Sequence, residues 1–245
     1  MTVALRRRGW RGLLGPTVAA LVGFLLLLGL GTWQLQRRVW KEGLIAQREA
    51  AMAAPAVPLP AVIADPAALE YRHVWVEGTF RHDHELYVTS RFYRDKPGYQ
   101  VVTPLIMADG RAVLVNRGFV PLSARDPATR QAGEVAGPVR IEGVVRLSGK
   151  PGWFTPANEP AADLWFNPDV AQMAVAAGLD PAKTSPVFVE AGPAPNPGGL
   201  PIGGQTSIDL PNDHLQYAIT WYSLATALAV IYGLFCHRHL TGERS

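Results

Sequence analysis

The stretch from Gly12 to Gln36 reads GLLGPTVAALVGFLLLLGLGTWQLQ, 25 residues without a charge between Arg11 and Arg37. A second uncharged run, LQYAITWYSLATALAVIYGLFC, fills the 22 residues from Leu215 to Cys236, between Asp213 and the His237-Arg238 pair. A helix needs about 20 apolar residues to cross a bilayer, so both runs are long enough. They predict a membrane protein with spans over 12–36 and 214–236 and an extramembrane domain over 37–213. Whole-chain averages conceal this. A mean hydropathy of +0.07 over 245 residues, with 48% hydrophobic and 18% charged, is what two dense apolar blocks and a polar middle give together. A purely soluble enzyme, a collagen-like repeat and a disordered chain are excluded.

The net charge of +3 sorts in the same way. From Glu42 to Asn212 there are 14 basic and 18 acidic residues, a balance of −4, so the rest of the chain carries +7. Arg6, Arg7, Arg8 and Arg11 precede the first run, and Arg238 and Arg244 follow the second. The excess of cations at these flanks places the segments 1–11 and 237–245 in the cytoplasm and the central domain across the membrane, while Arg37, Arg38 and Lys41 act against that assignment. With the cations at the flanks, no basic stripe is left for nucleic acid. The first run exceeds the apolar core of a cleaved signal peptide, and the nearest Ala-x-Ala-like site, around Ala51-Met52-Ala53, lies far beyond it, so it reads as an uncleaved anchor. Triple arginine before such an anchor points to a bacterial inner membrane and a periplasmic domain. Cys236 is the single cysteine, which excludes intrachain disulfides, dithiol redox chemistry and copper shuttling by paired thiolates.

Trp33, Arg37, Trp40 and Leu44 share a helical face, so the first helix is expected to leave the membrane and stop near Ala54, where alanines and prolines take over. The domain then reads as mainly β. Strands are expected at Val74–Phe80, Leu86–Ser90, Tyr99–Met107 and Arg111–Arg117, the last two joined through an Asp109-Gly110 turn. Further strands are expected at Val139–Leu147, where Gly143 marks a bulge or a close backbone approach, and at Val187–Glu190. One helix is expected from Pro168 to Ala177, with Asn167 as N-cap and Gly178 past its end. Nine of the fifteen residues from Ala191 to Gln205 are proline or glycine, the composition of a structureless tether.

Candidate chemistry concentrates at the start of the second span. His214, Tyr217, Ala218, Trp221 and Tyr222 fall at helical steps on one stripe, which could seat a flat apolar macrocycle with His214 as axial iron ligand, or could be an interfacial aromatic belt. Antiparallel spans would bring residues 33–41 beside 210–217. There Arg37, Arg38 or Lys41 could pair with carboxylates or simply extend to the interface. His82-Asp83-His84-Glu85 would put two imidazoles on one face if extended, but no third ligand is in register, and a solvated hairpin rim is the expected reading. Asn116 and Arg117 are expected to serve the structure, with binding of a polar partner as the alternative and Gly118 in a positive-φ turn. Asn158, Asp163, Trp165 and Asp169 form no nucleophile–base set. Without a catalytic triad, carboxylate pair or zinc signature, the chain reads as no enzyme.

Five segments in order, Gly31-x-Trp33-Gln34-x-x-Arg37-x-x-Trp40-Lys41, Leu114–Gly118, Gly143–Arg146, Pro156-x-Asn158 followed by Trp165, and His214-Leu215-x-Tyr217-x-x-x-Trp221-Tyr222, resemble the Surfeit locus protein 1 family over nearly the whole chain. Phe119 stands where many members have tryptophan, and Asp213 where many bacterial members have asparagine. The resemblance implies a two-span assembly factor for haem–copper cytochrome c oxidase that carries haem a to the catalytic subunit. It also implies His214 as axial ligand, with Trp33, Arg37, Arg38, Tyr217 and Trp221 around the cargo, and haem a synthase as a candidate donor. The alternative from another class is a haem-free membrane scaffold that holds oxidase intermediates together.

Overall fold

The computed structural model describes residues 12–206, 208, 210 and 212–241. Arg6, Arg7, Arg8, Arg11 and Arg244, on which the orientation argument draws, and Pro211, expected near the start of the second helix, lie outside the described residues. The chain divides into two compact units, 1–46 with 209–245, and 47–208.

Two helices dominate the first unit. Helix α1 runs over Leu14–Ala53 and continues into the second unit, and α3 runs over His214–Thr241. Both are long and apolar enough to cross a membrane, and nearly all of their apolar surface is open. In water that exposure would be prohibitive, whereas in lipid it is the stable arrangement, because a helix satisfies its own backbone and turns its side chains outward. The chain is thus a two-span membrane protein with a mainly β domain between its spans. As the prolines after Ala54 demand, α1 ends at Ala53.

The second unit is built on seven strands: β1 (Val57–Pro58), β2 (His73–Phe80), β3 (Leu86–Tyr93), β4 (Lys96–Ile106), β5 (Ala112–Pro121), β6 (Pro138–Arg146) and β7 (Thr184–Ala191). Their order is β1-β2-β6-β7-β5-β4-β3, and a further pairing of Thr79 with Ile106 and Phe80 with Leu105 joins β2 to β4. That pairing closes β2, β6, β7, β5 and β4 into a barrel and leaves only β1 and β3 as flanking strands. Side-chain alternation then divides the core. Val74, Val76, Val113, Val115, Val187 and Val189 fill the interior. Leu114, Val102 and Phe188 point the other way, and helix α2 (Val170–Ala176) covers them with Val170 and Met173, beside the fully buried Trp165. Every residue of β5 from Ala112 to Val120 is buried, because both faces of that strand are covered.

The expected strands are present, with β3, β5 and β7 longer than their hydrophobic runs suggested; β1 was not foreseen from its two residues. Gly143 marks a close approach and not a bulge: its register is unbroken, and a Cβ there would stand 2.2 Å from the Glu190 carbonyl oxygen. The N-cap of α2 is Asp169, whose carboxylate accepts from the Gln172 amide at 2.8 Å, while Asn167 donates to the Gly149 carbonyl.

The segment 191–205 is not a loose tether. Phe119 and Ile202 exchange both backbone hydrogen bonds at 2.9 and 2.8 Å, Gly204 donates to Ala191, Pro201 is buried, and Leu200 packs on the cluster of Tyr87, Val101, Val120 and Ala124. Its glycines permit close backbone contact where composition suggested freedom. Gly118 shows the requirement from the other side. It lies inside β5 at φ +113°, at the bulge where Arg117 is the extra residue against β4, and a Cβ there would be 1.9 Å from the Ile202 oxygen, so its positive φ belongs to a bulge beneath the crossing strap and not to a turn. Gly118→Ala is therefore expected to destabilise the domain by at least about 2 kcal/mol. Gly110→Ala, at a hairpin tip with open space around it, should cost about 1 kcal/mol. Thermal unfolding of the two variants checks the contrast; equal losses would contradict the close strap.

Candidate functional site

Within the first unit the two helices run antiparallel and meet through small residues. Ala218 and Ala225 are the buried positions of α3, two turns apart on one face, and Gly31 is the buried residue of α1. A Cβ on Gly31 would stand 2.8 Å from the Tyr222 ring, so glycine is what lets the ring lie against the helix. Polar side chains pair across this seam: Thr17 with Tyr232, Thr32 with Tyr222 at 3.1 Å, and Gln34 with His214 at 2.6 Å.

The last pair sets the chemistry. Gln34 Oε1 is an acceptor, so His214 Nδ1 carries the proton that it receives. Nε2 is left with the lone pair and, among the described residues, has no hydrogen-bond partner. A ligating imidazole needs this arrangement: one nitrogen held by an acceptor that fixes tautomer and ring orientation, the other open to a metal. Two turns along α3 the Trp221 ring is half-buried and its Nε1–H is buried without a partner among the described residues, while Trp33 is 52% and Tyr217 55% exposed. Tyr217 faces away from the seam, so of the five-residue stripe it is His214, Ala218, Trp221 and Tyr222 that lie on the side toward α1. Arg37 and Arg38 stand one turn beyond Gln34 on α1. The Arg37 guanidinium lies 4.2 Å from the centre of the Trp40 ring, and Arg38 Nε donates to Glu42 at 2.7 Å. Both are engaged on their own helix, and neither contacts His214. Gln34 is the residue that reading by charge and periodicity overlooked; an amide at the end of an apolar run, level with a histidine on the opposite run, was its signal.

The SURF1 family model matches residues 21–226. Surfeit locus protein 1 of Rattus norvegicus is 43% identical over 220 residues, covering 83% of this chain and 70% of its own. Surfeit locus protein 1 of Homo sapiens is 41% identical over 220 residues, covering 83% and 72%. The chain belongs to the SURF1 family. A SURF1-like protein of Monosiga brevicollis is 42% identical over 229 residues and covers 89% of this chain and 85% of its own.

In this SURF1-family chain, much of the sequence that carries the resemblance builds the domain. Asn158 Oδ1 accepts from the amides of Phe166 and Asn167, both at 3.0 Å, and its Nδ2 donates to the Asn167 carbonyl, locking the loop that delivers Trp165. Trp165 Nε1 donates to Asp163 at 2.8 Å; burial raises the Asp163 carboxyl, and that hydrogen bond works against the rise. The stretch His82–Glu85 is not extended, and only part of it is a solvated rim: Asp83 and His84 stay open to water while Glu85 does not. His82–His84 form a single 3-10 turn, and Glu85 turns its carboxylate inward, with 2% of its side chain exposed. Arg117 donates to it at 3.1 Å and Arg130 through both terminal nitrogens, while Tyr87 and Thr103 add hydroxyl donors at 3.2 Å. Arg117 also donates to His82 Nδ1 at 3.3 Å and to the Gly133 carbonyl. Asn116 and Arg117 thus serve the domain's interior: Asn116 Oδ1 accepts from the Gly118 amide and Arg117 ties β5 to the turn before β3. Among the described residues no group of three or more His, Cys, Asp or Glu could hold a metal.

Burial would raise the Glu85 carboxyl, but the hydrogen bond and charge of Arg130, with the charge of Arg117, outweigh it and hold the group below its ordinary value of 4.5. Folding therefore favours the ionised form. The resulting stability is fully present above pH 4.5 and drains as pH falls through that value toward the lower folded one. Glu85→Gln should flatten this acid limb and cost about 3–5 kcal/mol at neutral pH, because two buried guanidiniums lose their counter-charge. Unfolding midpoints measured between neutral and acid pH check both; a variant with the wild-type acid limb would contradict the assignment.

Proposed function

We propose that this chain is an assembly factor for haem–copper cytochrome c oxidase, which holds haem a as transient cargo between its two spans before the cargo passes to the catalytic subunit. Family membership supports the assembly role through the resemblance read in the sequence. The observation that carries the cargo reading is the His214 imidazole, with Nδ1 held by Gln34 at 2.6 Å and Nε2 available to iron. Trp33 and Trp221 offer flat apolar surface on the same two helices, while Tyr217, facing away from the seam, does not join them. Arg37 and Arg38 would meet the propionates after giving up Trp40 and Glu42. That exchange costs part of what it gains, which keeps affinity modest, as release to an acceptor requires. In this reading the protein is no enzyme. It resides in the cell inner membrane with both termini cytoplasmic and the domain periplasmic, and haem a synthase is the candidate donor.

A haem-free scaffold is the second reading, favoured by one observation. Trp153 and Phe154 are 95% and 93% exposed, side by side in a loop fixed by the Gly152 amide on Thr155 Oγ1. Adjacent aromatics kept in the open suit capture by a partner, here the oxidase catalytic subunit.

Titrating the full chain with haem a in lipid discs separates the readings. Wild type should give a ligated-haem spectrum, His214→Ala should lose it, and Gln34→Leu should weaken binding about 10–100-fold by freeing the imidazole. Unchanged spectra and affinity in His214→Ala would overturn the cargo reading. A colourless protein that still co-isolates with the catalytic subunit, and loses it on Trp153→Ser with Phe154→Ser, would establish the scaffold.

A further inference from the structure

Strand β3 is distorted where it passes the loop that carries Trp165. Its register against β4 shifts between Val88 and Arg91, and Ser90 between them sits at φ +56°, a left-handed conformation that side chains other than glycine adopt only under constraint. Beside the distortion is a cavity of about 320 Å³, with Phe92, Tyr99, Leu164 and Phe166 among its walls and Thr89 and Arg91 among its polar lining. Arg91 is the one charged residue of that lining.

Two polar atoms here are buried and, among the described residues, unpartnered: Thr89 Oγ1 and Arg91 Nε. Arg91 as a whole is half-buried. Arg117 and Arg130, which lie deeper, share Glu85 and backbone carbonyls between them. Arg91 has no ion pair or side-chain hydrogen bond among the described residues. Burial pushes its pKa down, with the charge of Glu190 acting against the shift. Buried donors are nearly always satisfied, so two in one cavity, flanking a strained residue, indicate acceptor groups that come from outside the chain.

We propose that this cavity binds a carboxylate carried on an apolar body about the size of one aromatic side chain. Nε and the neighbouring terminal nitrogen form one edge of the guanidinium fork, which matches the two oxygens of a carboxylate, and the Thr89 hydroxyl supplies a third donor. A dianionic phosphate would bring a second charge with no second cation in the lining. The walls suit a ring or a branched chain, and the volume lies within the range of small-molecule sites. The shared chemistry could come from a free apolar acid or from the carboxyl terminus of another protein. None of its lining residues belongs to the two spans, and its fate is independent of the haem reading.

The test uses the full chain in lipid discs, with empty discs subtracted, and saturation-transfer NMR of three probes: 3-phenylpropionate, its amide, and the peptide acid N-acetyl-glycyl-phenylalanine. Saturable binding of an acid is expected, weakened at least about tenfold when the carboxylate becomes the amide, and to a similar degree by Arg91→Met or Thr89→Val. Tighter binding of the peptide acid assigns the site to a protein terminus, and tighter binding of phenylpropionate assigns it to a small acid. Arg91→Met should keep or raise the thermal midpoint of the unliganded protein, because it removes a half-buried cation whose Nε has no partner among the described residues. His214→Ala should leave acid binding unchanged. Absence of saturable binding, equal binding of acid and amide, or undiminished binding by both variants overturns the proposal and leaves water as the partner of Thr89 and Arg91. If Arg91→Met fails to fold, that result also counts against it, and Thr89→Val still reads the site.

Discussion

In lipid a polar group has no water to fall back on, and this constraint organises the spans of this chain. Backbone groups are satisfied within each helix, but the side chains of Thr17, Thr32, Gln34, His214, Tyr222 and Tyr232 need partners of their own, and they find them across the seam. Small residues make that possible, since Gly31, Ala218 and Ala225 let the helices come close enough for short side chains to meet. The imidazole of His214 takes its orientation from this requirement. A histidine held by an amide, with its second nitrogen unused among the described residues, follows from packing two helices in an apolar medium.

The domain meets the same problem with different means. Closing the barrel through Thr79 and Phe80 against Ile106 and Leu105 removes two strand edges. Glu85 gathers two buried guanidiniums, Arg117 and Arg130, into a cluster that joins β5, the turn before β3 and the segment after β5. Arg91 differs from both: it is half-buried, has no ion pair among the described residues, and lies beside a cavity and a strained residue.

Different residues were legible in the sequence to different degrees. The spans, the end of α1 and most strands could be read because their signals are local: an uncharged run, a proline cluster, a run of branched residues beside a glycine turn. His214 and its aromatic neighbours were legible as a stripe, though Tyr217 proved to lie off the seam. Glu85 was not, because a carboxylate next to two histidines looks solvated until two arginines, 32 and 45 residues away, come to it. The segment 191–205 misled for a related reason: proline and glycine report backbone freedom or backbone proximity equally well, and only the partner at Phe119 distinguishes them.

By itself the sequence determined the membrane architecture, since span length and the sorting of charge are properties of contiguous residues and the bilayer reads them as such. It also determined the β character of the domain and the family. Only the tertiary structure decided which face of α3 meets α1, that Gln34 holds His214 Nδ1, that Arg37 and Arg38 are engaged on their own helix, and that Arg91 has no ion pair among the described residues. Each of these is a statement about hydrogen bonds between groups distant in sequence, or about the lack of one, and such pairing depends on ångström-scale approach that no local pattern encodes.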